Sequence, residues 1–266
     1  MQDAQRPLVR KAIDVNLANL ALGHDVFVAD GATFVRNTEF PMVYDANYVS
    51  HVTASSPNES DTLLARVERE YIGTRHYSFR TEVATPPEFE ARLVLEGYAT
   101  HDALIMLLEG DLIATPKPFD IRPIVDEAGW AAFHELNVHD WSEHSERLSI
   151  PDADLVGVSL ARSQQLKSPP VRYWLAYDDG GPRGYFSSWE GREGVGQVEN
   201  LFVLKESRHR GIATALIAHC VADARAHGAG PITIVCDPTD TPKRMYAALG
   251  FRPIALQRSW LKKLDA

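Results

Sequence analysis

The chain has 266 residues, 45% hydrophobic and 24% charged, and no apolar run approaches the roughly 20 residues of a membrane-spanning helix. Its formal net charge of −9 opposes partnership with nucleic acid or an anionic membrane. The two cysteines, Cys220 and Cys236, sit inside apolar segments and read as small core residues rather than a disulfide framework or metal site.

Met1–Pro7 is polar and has no apolar signal core, so the expected location is cytoplasmic. Residues 8–23 read as an amphipathic helix on Leu8, Ile13, Leu17, Leu20 and Leu22. Val26–Ala29 and Ala32–Val35 read as strands joined by the hairpin signal Asp30-Gly31. Met42–Val52 has extended, aromatic-containing character, and Ser60-Asp-Thr caps a helix over Leu63–Tyr71. His76–Val83 is strand-like, Pro86-Pro-Glu opens a helix that Gly97 ends, and Ala103–Leu108 is an apolar strand. Two prolines stiffen a short linker at Ala114-Thr-Pro-Lys-Pro118.

The pattern restarts with a short strand at Phe119–Pro123, a helix at Glu127–Val138 and a second at Asp152–Lys167. Strands at Val171–Tyr177 and Gly184–Trp189 flank the turn Asp178-Asp-Gly-Gly181. Val198-Glu-Asn-Leu-Phe-Val203 is an apolar strand that passes through a charged loop into a helix at Arg208-His-Arg-Gly-Ile-Ala213. Pro231–Cys236 is a buried strand, Met245–Leu249 closes a helix before Gly250, and Pro253–Leu261 is a last strand.

The turn at 208–213 is where an anion would be held. A helix start offers unpaired N–H groups and a positive dipole end. Gly211 lets a phosphate approach the backbone, while Arg208 and Arg210 add charge in an otherwise acidic protein. A purely structural strand–turn–helix is the competing reading. Neither G-x-G-x-x-G nor G-x-x-x-x-G-K-[ST] is present, so dinucleotide and NTP folds are not indicated.

Arg208-x-x-Gly211-x-Ala213 after an apolar strand resembles the Q/R-x-x-G-x-G/A signature of the GNAT superfamily of acetyl-CoA-dependent N-acyltransferases. Tyr246-Ala-Ala-Leu-Gly-Phe251 resembles its second hallmark, Y-x-x-x-G-F, in the right order. The resemblance spans about the last 150 residues and implies an α/β (α+β) acyl-CoA N-acyltransferase fold, a mixed central sheet flanked by helices. The first half repeats the order of elements, and Glu96-Gly97-Tyr98 echoes Leu249-Gly250-Phe251. Its counterpart of the cofactor loop, Ser55-Ser-Pro-Asn-Glu-Ser60, has no glycine or arginine, and Glu59 and Asp61 would repel a pyrophosphate. Residues 1–118 are thus read as a degenerate GNAT-like domain without a cofactor loop and 119–266 as the acetyltransferase domain; an unrelated α/β domain is the other reading of 1–118.

The resemblance also implies roles. The strand 198–203 splays from 231–236 to pair with pantetheine, so Leu201, Phe202 and Val203 join Arg208, His209, Arg210, Gly211, Ile212, Ala213 and Thr214 as acetyl-CoA-binding residues. The Val203 N–H is the candidate oxyanion donor. Glu199, placed by alternation on the face of Leu201 and Val203, is either the general base or an ordinary strand glutamate; Gln197 shares that face but cannot act as a base. Tyr246 is either the general acid at the leaving sulfur or a packing tyrosine. Thr239 stands where many members carry an asparagine. His139-Asp-Trp-Ser-Glu-His144 reads as a polar helix end rather than a metal cluster, since histidines five apart do not share a helix face; no metal is expected. Asp140 and Glu143 border the acceptor site and are candidate contacts for a cationic amine. The expected reaction is transfer of an acetyl group to a primary amine of a small molecule or peptide in a ternary complex. An acyl-CoA sensor, or another CoA-dependent reaction on the same fold, is the alternative.

Overall fold

A computed structural model describes residues 2–113, 115–148 and 153–264. Helix α1 (Gln2–Ala21) is followed by the hairpin β1 (Asp25–Ala29) and β2 (Ala32–Arg36). Asp30 and Gly31 both take left-handed φ, +46° and +72°, as the twist of a two-residue hairpin requires. The stretch read as extended from Met42 instead makes a 3-10 turn at Tyr44–Ala46 and only then a short strand, β3 (Tyr48–Ser50). Helix α2 (Pro57–Glu70) begins earlier than Ser60: Ser56 is its N-cap, and a capping box with Glu59 fixes the first turn. Strand β4 (His76–Thr81), helix α3 (Pro87–Leu95) and strand β5 (Ala99–Leu108) complete this half. Of the proline linker, Ala114 lies outside the described residues, and 115–119 has no regular structure.

The second half runs β6 (Asp120–Pro123), α4 (Glu127–Leu148), α5 (Ala153–Gln165), β7 (Arg172–Asp178), β8 (Gly181–Arg192), β9 (Val195–Val203), α6 (Ile212–Ala226), β10 (Ile232–Cys236), α7 (Pro242–Ala248) and β11 (Arg252–Lys263). Helix α4 continues well past Val138, so His139–Glu143 lies within the helix and is not its end. The side chain of His144 is outside the described residues.

All the strands join one eleven-stranded sheet in the order β1-β2-β3-β4-β11-β5-β10-β9-β8-β7-β6. Each half contains a parallel pair spanned by a helix: β3 with β4 across α2, and β9 with β10 across α6. The final strand of each half is then given to the other. β5 pairs antiparallel with β10 from Ile232↔Leu108 to Cys236↔Leu104, and β11 pairs antiparallel with β4 from Arg258↔Thr81 to Lys263↔His76. β5 and β11 also pair with each other, so the segments on either side of residue 118 share one continuous ladder.

Two cores flank the second half of the sheet. On one face Val198, Val203 and Phe186 pack with Ile212, Leu216 and Cys220 of α6 and with Tyr246 and Phe251. On the other, Val195, Phe202, Tyr173 and Tyr185 pack with Phe133 and Leu136 of α4 and Val15 of α1. The first half has its own core around Phe34, Phe79, Phe89 and Leu63. Helix α1 lies on β9, carrying Asn16 and Asn19 as buried polar residues among apolar neighbours.

Candidate active site

β9 and β10 are paired only near their start, at Ile232↔Gly196 and Thr233↔Gln197, where Thr233 Oγ1 donates to the Gly196 carbonyl at 2.9 Å. Beyond that point they part, as the resemblance implied. On the far side of β9 the Leu204 N–H donates to the Arg183 carbonyl at 2.9 Å, and Phe202 faces Tyr185. By the alternation of an antiparallel ladder, the Val203 N–H and C=O therefore point away from β8 into the opening.

Asn200 sits in the middle of this strand at φ +65°, and the β8–β9 register slips between Tyr185↔Phe202 and Ser187↔Glu199. One extra residue in β9 reverses the side-chain alternation. This corrects the expectation that Glu199 shares a face with Leu201 and Val203. Glu199 and Gln197 lie on the face of α1, together with Phe202 after the bulge, whereas Leu201 and Val203 turn toward α6.

The α6 face holds a cleft of about 650 Å³ lined by Leu201, Phe202, Val203, Arg208, Gly211 and Thr214, among others. His209 and Gly211 take left-handed φ of +61° and +98°, curling the loop around the start of α6. Gly211 is the N-cap and gives no side-chain acceptor, so the amides of Ile212, Ala213 and Thr214 are left for a ligand. Arg208 Nε donates to the Val203 carbonyl at 2.9 Å and its guanidinium pairs with Glu143 at 2.6 Å. Arg210 pairs with Asp178 at 3.1 Å, anchoring the loop from outside. Thr239, in the loop after β10, binds Asp237 through both its N–H and its hydroxyl.

The corresponding helix start in the first half is closed. Glu59 folds back so that one carboxylate oxygen accepts the N–H groups of Ser55 and Ser56, each at 2.9 Å, while Ser56 Oγ accepts the Glu59 N–H. Those amide hydrogen bonds hold the Glu59 carboxyl below its ordinary range. At the start of α2 Pro57 has no N–H and the Glu59 N–H is taken by Ser56 Oγ, so fewer helix-start amides are open to an anion than at α6, where Gly211 caps nothing.

The α1 face holds a smaller recess of about 230 Å³ at the point where β9 and β10 part. Glu199 and Asn200 of β9 and Val235 and Cys236 of β10 line it, with Lys167 beyond α5 and Asp45, Arg80 and His101 from the first half. Burial pushes the Glu199 carboxyl up to about 7, against the opposing pull of a 2.9 Å hydrogen bond from Gln197 and the nearby Lys167. Gln197 also donates to Asn16 Oδ1 at 3.0 Å, and Asn16 donates to Gln257 Oε1 at 2.7 Å. Tyr246, buried on the opposite face, has its phenol raised by burial first and by the charge of Glu199 second, with no hydrogen bond to its hydroxyl contributing. The Tyr246 phenol and the Glu199 carboxyl thus lie on opposite faces of the sheet, near enough for the charge of one to act on the other.

Asp140 and Glu143 border the cofactor-side cleft rather than this recess. Asp140 accepts a 3.0 Å hydrogen bond from Tyr185 and Glu143 holds Arg208. Sequence reasoning missed Asn16, Asp45, Arg80 and Lys167; the available signal was two asparagines on the apolar stripe of α1. Asp14, His51 and Glu82 bring one ligand-type atom each within 4.8 Å of one another, with His51 Nε2 at 3.9 and 3.7 Å from the two carboxylates.

Residues 130–251 match the model of the "Acetyltransferase (GNAT) family". No curated relative matches the sequence. Among solved structures, a GCN5-related N-acetyltransferase from Kribbella flavida superposes with a TM-score of 0.69 at 17% identity, covering 97% of this chain and 96% of that one. A conserved protein of unknown function from Staphylococcus epidermidis ATCC 12228 gives 0.68 at 15% identity, with 91% and 95% covered. A tandem GNAT protein from the clavulanic acid biosynthesis pathway gives 0.58 at 16% identity, with 82% and 76% covered. The fold is that of the acyl-CoA N-acyltransferases.

Proposed function

We propose, from the match of residues 130–251 to the acetyltransferase (GNAT) family model, that the protein transfers an acetyl group from acetyl-CoA to a primary amine of a small molecule. The observation that carries this reading is the opening between β9 and β10, with an uncapped, arginine-flanked helix start on one side and the Glu199 recess on the other.

The amides of Ile212, Ala213 and Thr214, with Arg208, His209, Arg210 and Gly211 around them, would hold the diphosphate. Leu201, Phe202 and Val203 would flank the pantetheine arm as it lies along the exposed edge of β9. Bound acetyl-CoA supplies the acetyl group as an electrophilic thioester. Glu199, with its carboxyl raised to about 7, is poised to take a proton from an incoming ammonium near neutral pH. The Val203 N–H, which points away from β8, would be the donor to the thioester oxygen as negative charge grows on it. Tyr246, protonated at all physiological pH values, can give its phenolic proton to the leaving sulfur.

The first half takes the role of a GNAT-like domain without its own cofactor, since Pro57 and the Ser56–Glu59 capping box close its helix start. Its contribution is to the acceptor side, through α1, Asp45 and Arg80. An acetyl-CoA-dependent thiol-release assay across a panel of amines tests the reading: turnover of at least one amine supports it. Tight acetyl-CoA binding with no thiol release on any amine would replace it with an acyl-CoA sensor.

A further inference from the structure

We propose that the Glu199 recess takes an amine that also carries a carboxylate, an amino-acid-like zwitterion, and that Lys167 is the residue that holds the carboxylate. The proposal rests on the acetyltransferase reading only for the identity of the neighbouring donor site.

Lys167 is 5% exposed, and its ammonium donates to Asn19 Oδ1 at 3.1 Å. An ammonium has three N–H donors, and a buried one is ordinarily matched by an anion. Among the described residues no carboxylate lies within ion-pair distance of Lys167, although the recess contains three. Each of those is engaged elsewhere: Asp45 by Arg80, Asp237 by Thr239, and Glu199 by Gln197. His24, beside Lys167, is held neutral because burial and the lysine charge push it down to about 4, so it adds no second positive charge there. Arg80 adds a second unmatched donor in the same recess, since its Nε is buried without a partner.

The recess therefore presents the Lys167 ammonium, which has no anion of its own, and Arg80 on one side, and, of its three carboxylates, Glu199 at the β9–β10 opening. A ligand complementary to that pattern has its anionic group on Lys167 and Arg80 and its amine at Glu199. At about 230 Å³ the space falls below the roughly 300–1,000 Å³ of clefts that hold drug-sized ligands. A peptide amino terminus, whose carboxylate is far from the amine, does not match it.

The test uses the full chain and small α- and ω-amino acids, each paired with its primary amide, with calorimetry in the presence of CoA and thiol release from acetyl-CoA as the two readouts. At least one acid should bind ten times or more tighter than its amide. Lys167→Met should reduce that preference to below threefold, and Arg80→Gln should reduce it in part. Equal affinity of wild type for acids and amides, binding of neither, or a preference that survives both substitutions overturns the proposal; the first two need no variant to fold. Acid-selective binding without thiol release would retire the enzyme reading and keep this one. Turnover of amines regardless of a carboxylate would do the reverse.

Discussion

The side-chain amide of Gln197 donates to Glu199 Oε2 at 2.9 Å and to Asn16 Oδ1 at 3.0 Å. The candidate base is thereby aimed by a residue two positions back on its own strand, which is itself held by α1. Asn16 extends the chain to Gln257 of β11, so elements from both ends of the polypeptide fix the carboxylate.

Replacing Gln197 with Leu removes the hydrogen bond that opposes the effect of burial on Glu199. The Glu199 carboxyl should then titrate above 7, and the acidic limb of the kcat/KM profile should move to higher pH while the alkaline limb stays in place. An unmoved acidic limb would remove Glu199 as its origin. Asn16 Oδ1 also loses its donor, which should lower stability by about 1–3 kcal/mol.

Glu199→Gln should lower kcat by about 100-fold or more, the scale of a lost general base. It also has a stability signature. The folded carboxyl is raised from 4.5 to about 7, so the native state holds a proton that the unfolded chain releases between those values. Wild-type stability should therefore fall as pH rises from about 4.5 to 7 through this group. Thermal melts should show Glu199→Gln gaining on wild type at pH 8 relative to pH 5; a pH-independent difference would contradict the raised carboxyl.

Gly211→Glu should abolish acetyl-CoA binding by calorimetry, and equal binding by both proteins would reject the cradle. A Cβ at this position meets only Phe119, at 3.7 Å, so crowding is not the cause. The effect comes from a left-handed φ of +98°, disfavoured for a side chain by about 1–2 kcal/mol, and from a carboxylate facing the diphosphate.

Tyr246→Phe should lower kcat at least tenfold with the acetyl-CoA dissociation constant nearly unchanged, because no hydrogen bond to its hydroxyl is made among the described residues. An unchanged rate takes Tyr246 out of the mechanism.

Glu143 pairs with Arg208, about one-third exposed on each side, and on the proposed reading would compete with a diphosphate for it. Such pairs are worth about 0–1 kcal/mol, so Glu143→Gln should tighten acetyl-CoA binding by up to about fivefold, with the gain fading at high salt. Weaker binding would mean that Glu143 positions Arg208 rather than distracting it.

What was legible in the sequence was what local chemistry controls. Asp30-Gly31 specified its hairpin, and Gly211 with its arginines specified an open helix start, because turn conformations and capping act over a few residues. The face of Glu199 was misread because alternation assumes a regular strand, and Asn200 breaks it. Asparagine is among the side chains that tolerate left-handed φ, so the residue was a hint without being a signal. The start of α2 was misplaced because Ser56 and Ser60 are both plausible caps, and only the reach of Glu59 to Ser56 distinguishes them. The recess on the α1 face was out of reach altogether: Asn16, Arg80, Lys167 and Glu199 meet there through long-range packing, as in the Gln197–Asn16 hydrogen bond between residues 181 positions apart.

The interchange of β5 and β11 has a bearing on how this protein can be taken apart. Cutting between residues 118 and 119 would leave β10 without its antiparallel neighbour and strip β4 of the strand that covers its open edge. Two sticky, half-finished ladders would result, each templated to recapture the missing piece from another molecule. Excising the catalytic portion for study should therefore yield aggregates or exchanged dimers, whereas a co-expressed pair of fragments should reassemble into the working whole.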